Sequence, residues 1–184
     1  MRERIAIAFL LLAGAGGCQS GAGNTNDTVM VVQVNSNLAV PSEMDEIDLW
    51  ITIDGMMHVN PFKFPLGDGN ALPLQENFLE KSGTAGTFGV KAGVGLGGPS
   101  FRCEEADVCE QAVANFVPGK AMVLKLFLAA ECRGVTCPGA NETCTTDGVC
   151  RSTTFGPDEL TVFDANAPTG SPDAAAGTLA DGAS

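Results

Sequence analysis

Apolar and polar residues alternate with a period of two along the middle of the chain. Ile47, Leu49, Ile51 and Ile53 alternate with Asp48, Trp50, Thr52 and Asp54, the pattern of a strand with one buried and one wet face. Phe62, Phe64 and Leu66 repeat it, followed by Phe88, Val90, Ala92 and Val94. Met122, Leu124, Leu126 and Leu128 then alternate with Val123, Lys125, Phe127 and Ala129. The run Val29 to Val34 is rich in β-branched residues and suits burial on both faces. Ala112, Ala114 and Phe116 mark one more strand, stopped by Val117-Pro118-Gly119. Turn chemistry separates the runs at Asp54-Gly55, Gly67-Asp68-Gly69-Asn70 and Pro118-Gly119. No segment carries a 3.6-residue apolar stripe of helical length. The expectation is an all-β chain, an immunoglobulin-like antiparallel β-sandwich over residues 29–131.

Outside that region the pattern stops. Ser20 to Thr28 is small and polar, so residues 18–28 read as a flexible tether. Asn166 to Ser184 is rich in Ala, Gly, Pro and Asp, with Leu179 its one large aliphatic residue. Residues 152–184 are expected to be mostly disordered, because so little burial cannot offset ordering entropy. With 184 residues, 45% of them hydrophobic, the chain has material for one packed core. Its 22 acidic against 10 basic residues give a net charge of −12, which excludes binding to nucleic-acid phosphates.

The first residues point to export. Arg2 and Arg4 precede the apolar run Ile5 to Ala13, and Gly14-Ala15-Gly16-Gly17 leads to Cys18. The run is well short of the ~20 residues that span a bilayer, so residues 1–17 read as a cleaved signal peptide. This leader resembles that of bacterial lipoproteins, in which a cysteine after small residues is lipidated and becomes the new N-terminus. The resemblance implies acylation of Cys18 and, with Gln19 next, delivery to the outer membrane. The membrane is then a partner through a lipid anchor. Parity agrees: of seven cysteines, assigning Cys18 to lipid leaves an even six.

Four of those six, Cys132, Cys137, Cys144 and Cys150, crowd into "CRGVTCPGANETCTTDGVC". So small a piece cannot build a core, and crosslinks must replace it. Four, six and five residues lie between successive cysteines, wider than most zinc sites use, so disulfides are favoured over a metal. Residues 132–151 therefore read as a disulfide-rich knob, each bridge contributing about 3 kcal/mol. Six cysteines allow fifteen pairings. Cys103–Cys109 reads as a local loop. Likeness to small EGF-type knots implies Cys132–Cys144 interleaved with Cys137–Cys150. A β-sandwich that ends in an alternating Leu strand and runs into this segment resembles surface lipoproteins of myxobacteria and their relatives. That resemblance covers roughly residues 29–151 and implies location and architecture, with no reaction or ligand.

Candidate chemistry is sparse. Gly93-Val94-Gly95-Leu96-Gly97-Gly98 fits a dinucleotide-binding glycine pattern, but Pro99-Ser100-Phe101 follows instead of a helix. It reads as a glycine loop. His58 is the single histidine, and no Gly-x-Ser-x-Gly elbow exists to form a triad with it. Two acidic clusters are candidates for weak calcium binding: Glu43, Asp45, Glu46 and Asp48, and Glu104, Glu105, Asp107 and Glu110. Trp50 sits on the polar side of its strand, where a lone tryptophan either stacks on a sugar or is covered. The chain thus reads as a non-enzymatic, cofactor-free envelope protein, lipid-anchored, with a structural or interaction role towards a protein or glycan. The alternative is a carbohydrate-binding module using Trp50, with calcium assistance.

Overall fold

Each alternating run forms a strand, and all but the Phe62–Phe64 run bury the face the pattern assigns: Phe62 is 41% exposed and Phe64 only partly buried. The computed structural model describes residues 27–57, 61–67, 71–80, 86–94 and 106–164. One sheet contains β1 (Thr28–Ser36), flanked by β8 (Ala121–Leu128) and β5 (Leu74–Glu80), with β12 (Thr161–Val162) outside β8. The second runs β11 (Thr154–Phe155), β7 (Val108–Asn115), β6 (Thr87–Val94), β2 (Glu46–Ile53) and β3 (Met56–Met57). A further strand, β4 (Phe62–Pro65), also pairs with β2. The two sheets pack as a β-sandwich that does not close into a barrel. The β1–β8 and β7–β11 pairs are parallel, and the remaining pairs are antiparallel.

Met30, Val32 and Val34 face Ile47, Leu49, Ile51, Phe88 and Val90 across the core, with Met122, Leu124, Leu126 and Leu128 beside them. Val31, on the opposite face of β1, is only 1% exposed, so this central strand is covered on both sides. An aromatic chain, Phe62–Phe78–Phe88–Phe116, runs inward from one flank with ring centroids 5.9, 5.3 and 5.5 Å apart. Asp54 and Gly55 make the two-residue β2–β3 turn with φ of 51° and 77°, the left-handed pair that such a hairpin requires.

The parallel β1–β8 pair gives the sandwich two distinct poles. Both strands start where the chain enters, at Thr28, whose hydroxyl accepts a hydrogen bond from the Gly119 amide at 2.9 Å. Both end at the opposite pole, where a 3-10 turn, Ala130–Cys132, leads into the knob. There β9 (Glu142–Cys144) and β10 (Cys150–Ser152) form a two-stranded ribbon.

The expected boundary at residue 151 needs correction. Residues 152–164 are not a disordered tail: β11 joins β7 in one sheet, and β12 joins β8 in the other. Between them Leu160, 9% exposed, enters the core and Phe155 packs against it. This strap crosses the flank where β7 and β8 part into different sheets. Residues 165–184 and 1–26 lie outside the described residues.

Candidate functional site

The knob is locked by Cys132–Cys144 and Cys137–Cys150, with Cα atoms 5.7 and 5.6 Å apart. These are the interleaved pairings that the EGF-type likeness implied. Cys109 is also disulfide-bonded; its expected partner Cys103 lies outside the described residues, as does Cys18.

Main-chain groups of β7 dock the knob on the second sheet. The Gln111 amide donates to Thr143 Oγ1 at 3.0 Å, and its side-chain Nε2 donates to the Glu142 carbonyl at 2.9 Å. Further along β7, Val113 N donates to the Thr153 carbonyl at 2.7 Å, and Thr153 N donates to Asn141 O at 2.9 Å. Without these partners the free edge of β7 would carry unpaired amides. Docking leaves a cleft of about 340 Å³ between the knob and the outward face of the sheet, bounded by Lys91, Asp107, Gln111, Cys137 and Glu142. The outward alternation of β6 and β7 brings Lys91 and Gln111 side by side at its floor. Sequence reading missed both, because a polar residue on the wet side of a strand carries no signal of what later folds over it.

The acidic cluster proposed for calcium is dispersed. Glu43 accepts from the Ala39 amide at 2.9 Å and pairs with Arg133 at 3.3 Å; those two interactions, in that order, hold its carboxyl below the usual range. Glu46 and Asp48 instead share the Lys63 ammonium, at 2.6 and 3.2 Å. Asp48 is 3% exposed, and burial pushes its carboxyl up while Lys63 opposes the shift. Asp45 joins neither pair: its main-chain carbonyl accepts from Leu66 N at 2.7 Å. A protein cation already occupies the place a metal would take, and no metal-holding cluster occurs among the described residues. On the knob, the Thr145 hydroxyl first and Arg151 second hold Asp147 well below the carboxylate range.

The second cluster fares no better. Glu110 is not a loop residue but lies on the inward face of β7, 8% exposed, between Val108 and Ala112. Its Oε2 accepts from the Phe127 amide. Beside β8, β12 pairs only with Met122 and Val123, so the Phe127 amide lies beyond its reach and the carboxyl caps it. Burial pushes the Glu110 carboxyl up to about 8. Glu104 and Glu105 lie outside the described residues.

Trp50 is no open platform. It is 3% exposed on the outward face of β2, next to Lys91 across the β2–β6 ladder, and its Nε1–H has no hydrogen-bond partner. The covered alternative applies, which removes the aromatic surface on which sugar stacking depends. His58 and the loop glycines Gly95, Gly97 and Gly98 lie outside the described residues. Among the described residues, no helix is long and apolar enough to cross a membrane. No family model, curated protein or solved structure matches the chain, so the site is read from its own geometry.

Proposed function

We propose that the chain is an exported, lipid-anchored protein of the cell envelope, held at the outer membrane through acylated Cys18 and serving a structural or interaction role. The observation that carries this reading is the interleaved pair Cys132–Cys144 and Cys137–Cys150, because crosslinks of this kind persist in oxidising compartments. A chain of net charge −12 has no electrostatic attraction to acidic lipids, which favours attachment by a lipid over attachment by surface charge. Thr28 opens β1 ten residues after Cys18, and the nine residues of β1 carry the chain about 30 Å to the other pole. A lipid at Cys18 would then join the sandwich at the pole opposite the knob and its cleft.

The test is fractionation with intact mass measurement. Native protein should sediment with outer membrane and carry acyl chains on an N-terminal Cys18, and Cys18→Ala should move it to the soluble fraction. An unacylated product, cut at another residue and equally soluble with or without Cys18, would overturn the anchoring.

A further inference from the structure

The two knob bridges differ in their surroundings. Cys132 and Cys144 are each 4% exposed and belong to the core cluster. Cys137 and Cys150 are half-buried; Cys132, Cys137 and Cys144 all border the cleft, and of these Cys137 is the most exposed. Immediately after Cys150 comes the strap that joins both sheets. Its own hold is slight: β11 and β12 have two residues each, and Leu160 is its one large apolar side chain fully inside the core. A segment so weakly held depends on having its start fixed in place, because the crosslink at Cys150 removes part of the ordering entropy beforehand.

We propose that the cleft is a thiol–disulfide exchange site, in which a dithiol opens Cys137–Cys150 and thereby frees the strap from both sheets. One thiolate of the dithiol attacks Cys137 Sγ. The sulfur–sulfur bond breaks, and Cys150 leaves as a thiolate that takes up a proton. The second thiol of the dithiol, losing its proton, attacks the mixed disulfide and releases Cys137 as a thiolate, which is protonated in turn. The bridge gains two electrons and becomes two thiols; the dithiol loses them and becomes a disulfide. Cys132–Cys144 also borders the cleft, but at 4% exposure it offers a dithiol far less access, and it keeps the knob attached while the strap opens. The proposal stands apart from anchoring, since a soluble exported form would carry the same bridge.

The experiment uses the full oxidised chain, dithiothreitol as the dithiol under native conditions, timed alkylation with peptide mass mapping, and hydrogen exchange in parallel. Cys137 and Cys150 should label roughly tenfold faster than Cys132 and Cys144. The Val113 and Phe163 amides, which bond to Thr153 O and Ala121 O, should lose protection in step with that labelling. Val90 and Leu124 should keep theirs. Earlier or simultaneous labelling of Cys132 and Cys144 would overturn the proposal. Continued protection of Val113 and Phe163 after Cys137 and Cys150 are fully labelled would also overturn it. The variant Cys137→Ser/Cys150→Ser should show the open-strap exchange without reductant; if it does not fold, the labelling order and exchange of the parent chain decide.

Discussion

Glu110 makes stability depend on pH in a way its neighbours do not. Its carboxyl has an ordinary value of 4.5 in the unfolded chain and about 8 in the fold, where burial dominates and the hydrogen bond from Phe127 opposes it only in part. Below pH 4.5 both states hold the proton, and the group contributes no pH dependence. Between the two values the native state binds a proton that the unfolded state has lost, so stability falls as pH rises; above about 8 the decline stops. At about 1.4 kcal/mol per pH unit, the loss from pH 5 to pH 8 is roughly 3–4 kcal/mol. Glu110→Gln removes this dependence while its carbonyl still accepts from Phe127. Urea unfolding with the bridges intact, extrapolated to water at pH 5 and pH 8, isolates the effect. The variant should match the parent within about 1 kcal/mol at pH 5 and exceed it by several at pH 8. Asp48 and Glu76, whose carboxyls burial also raises, contribute the same slope to both proteins and cancel. Parallel pH profiles for the two proteins would refute the reasoning.

Two further outcomes follow from packing. Lys63→Met strands the nearly buried Asp48 carboxylate and should cost about 1–3 kcal/mol in urea unfolding. Adding Asp48→Asn should recover most of that, and equal losses in the single and double variants would discount the ion pair. A chain ending at Arg151 exposes the core where Leu160 and Phe155 sit. It should melt several degrees below a chain ending at Asp164, since burying Leu160 alone is worth roughly 1.5–3 kcal/mol; coincident melting curves would show that the strap closes nothing.

The sandwich was legible wherever one strand face is apolar without interruption, as in Ile47 to Ile53 or Met122 to Leu128. It was not legible in β5, Leu74-Gln75-Glu76-Asn77-Phe78-Leu79-Glu80. There the inward positions are Leu74, Glu76, Phe78 and Glu80, so acids break the period that would mark a buried face. The strap failed for another reason: two-residue strands are too short for any period, and of the alternating Leu160 and Val162 only Leu160 is buried, Val162 being 59% exposed. Glu110 was within reach. The alternation of Phe116, Ala114 and Ala112, carried back two residues, lands on it; grouping it by charge with Asp107 hid its parity. For Trp50 the pattern gave the correct face, but burial on that face depends on tertiary cover that no local pattern encodes.

The two flanks of the sandwich are closed by different means. On one, β5 has no strand beyond it among the described residues, and acids turned inward make that edge a poor template for another chain. Phe62 and Phe78 fill the gap behind it from opposite sheets. On the other flank, β7 and β8 separate into different sheets, and neither sheet alone supplies the missing partners. The strap contributes Thr153 O to Val113 and Phe163 N to Ala121, while Glu110 caps Phe127 beyond its end. A strap this short must be delivered to its place, and the knob delivers it. The knob is thus the anchor for the last pieces of the sandwich, and its crosslinks bear on the core as much as on the knob itself.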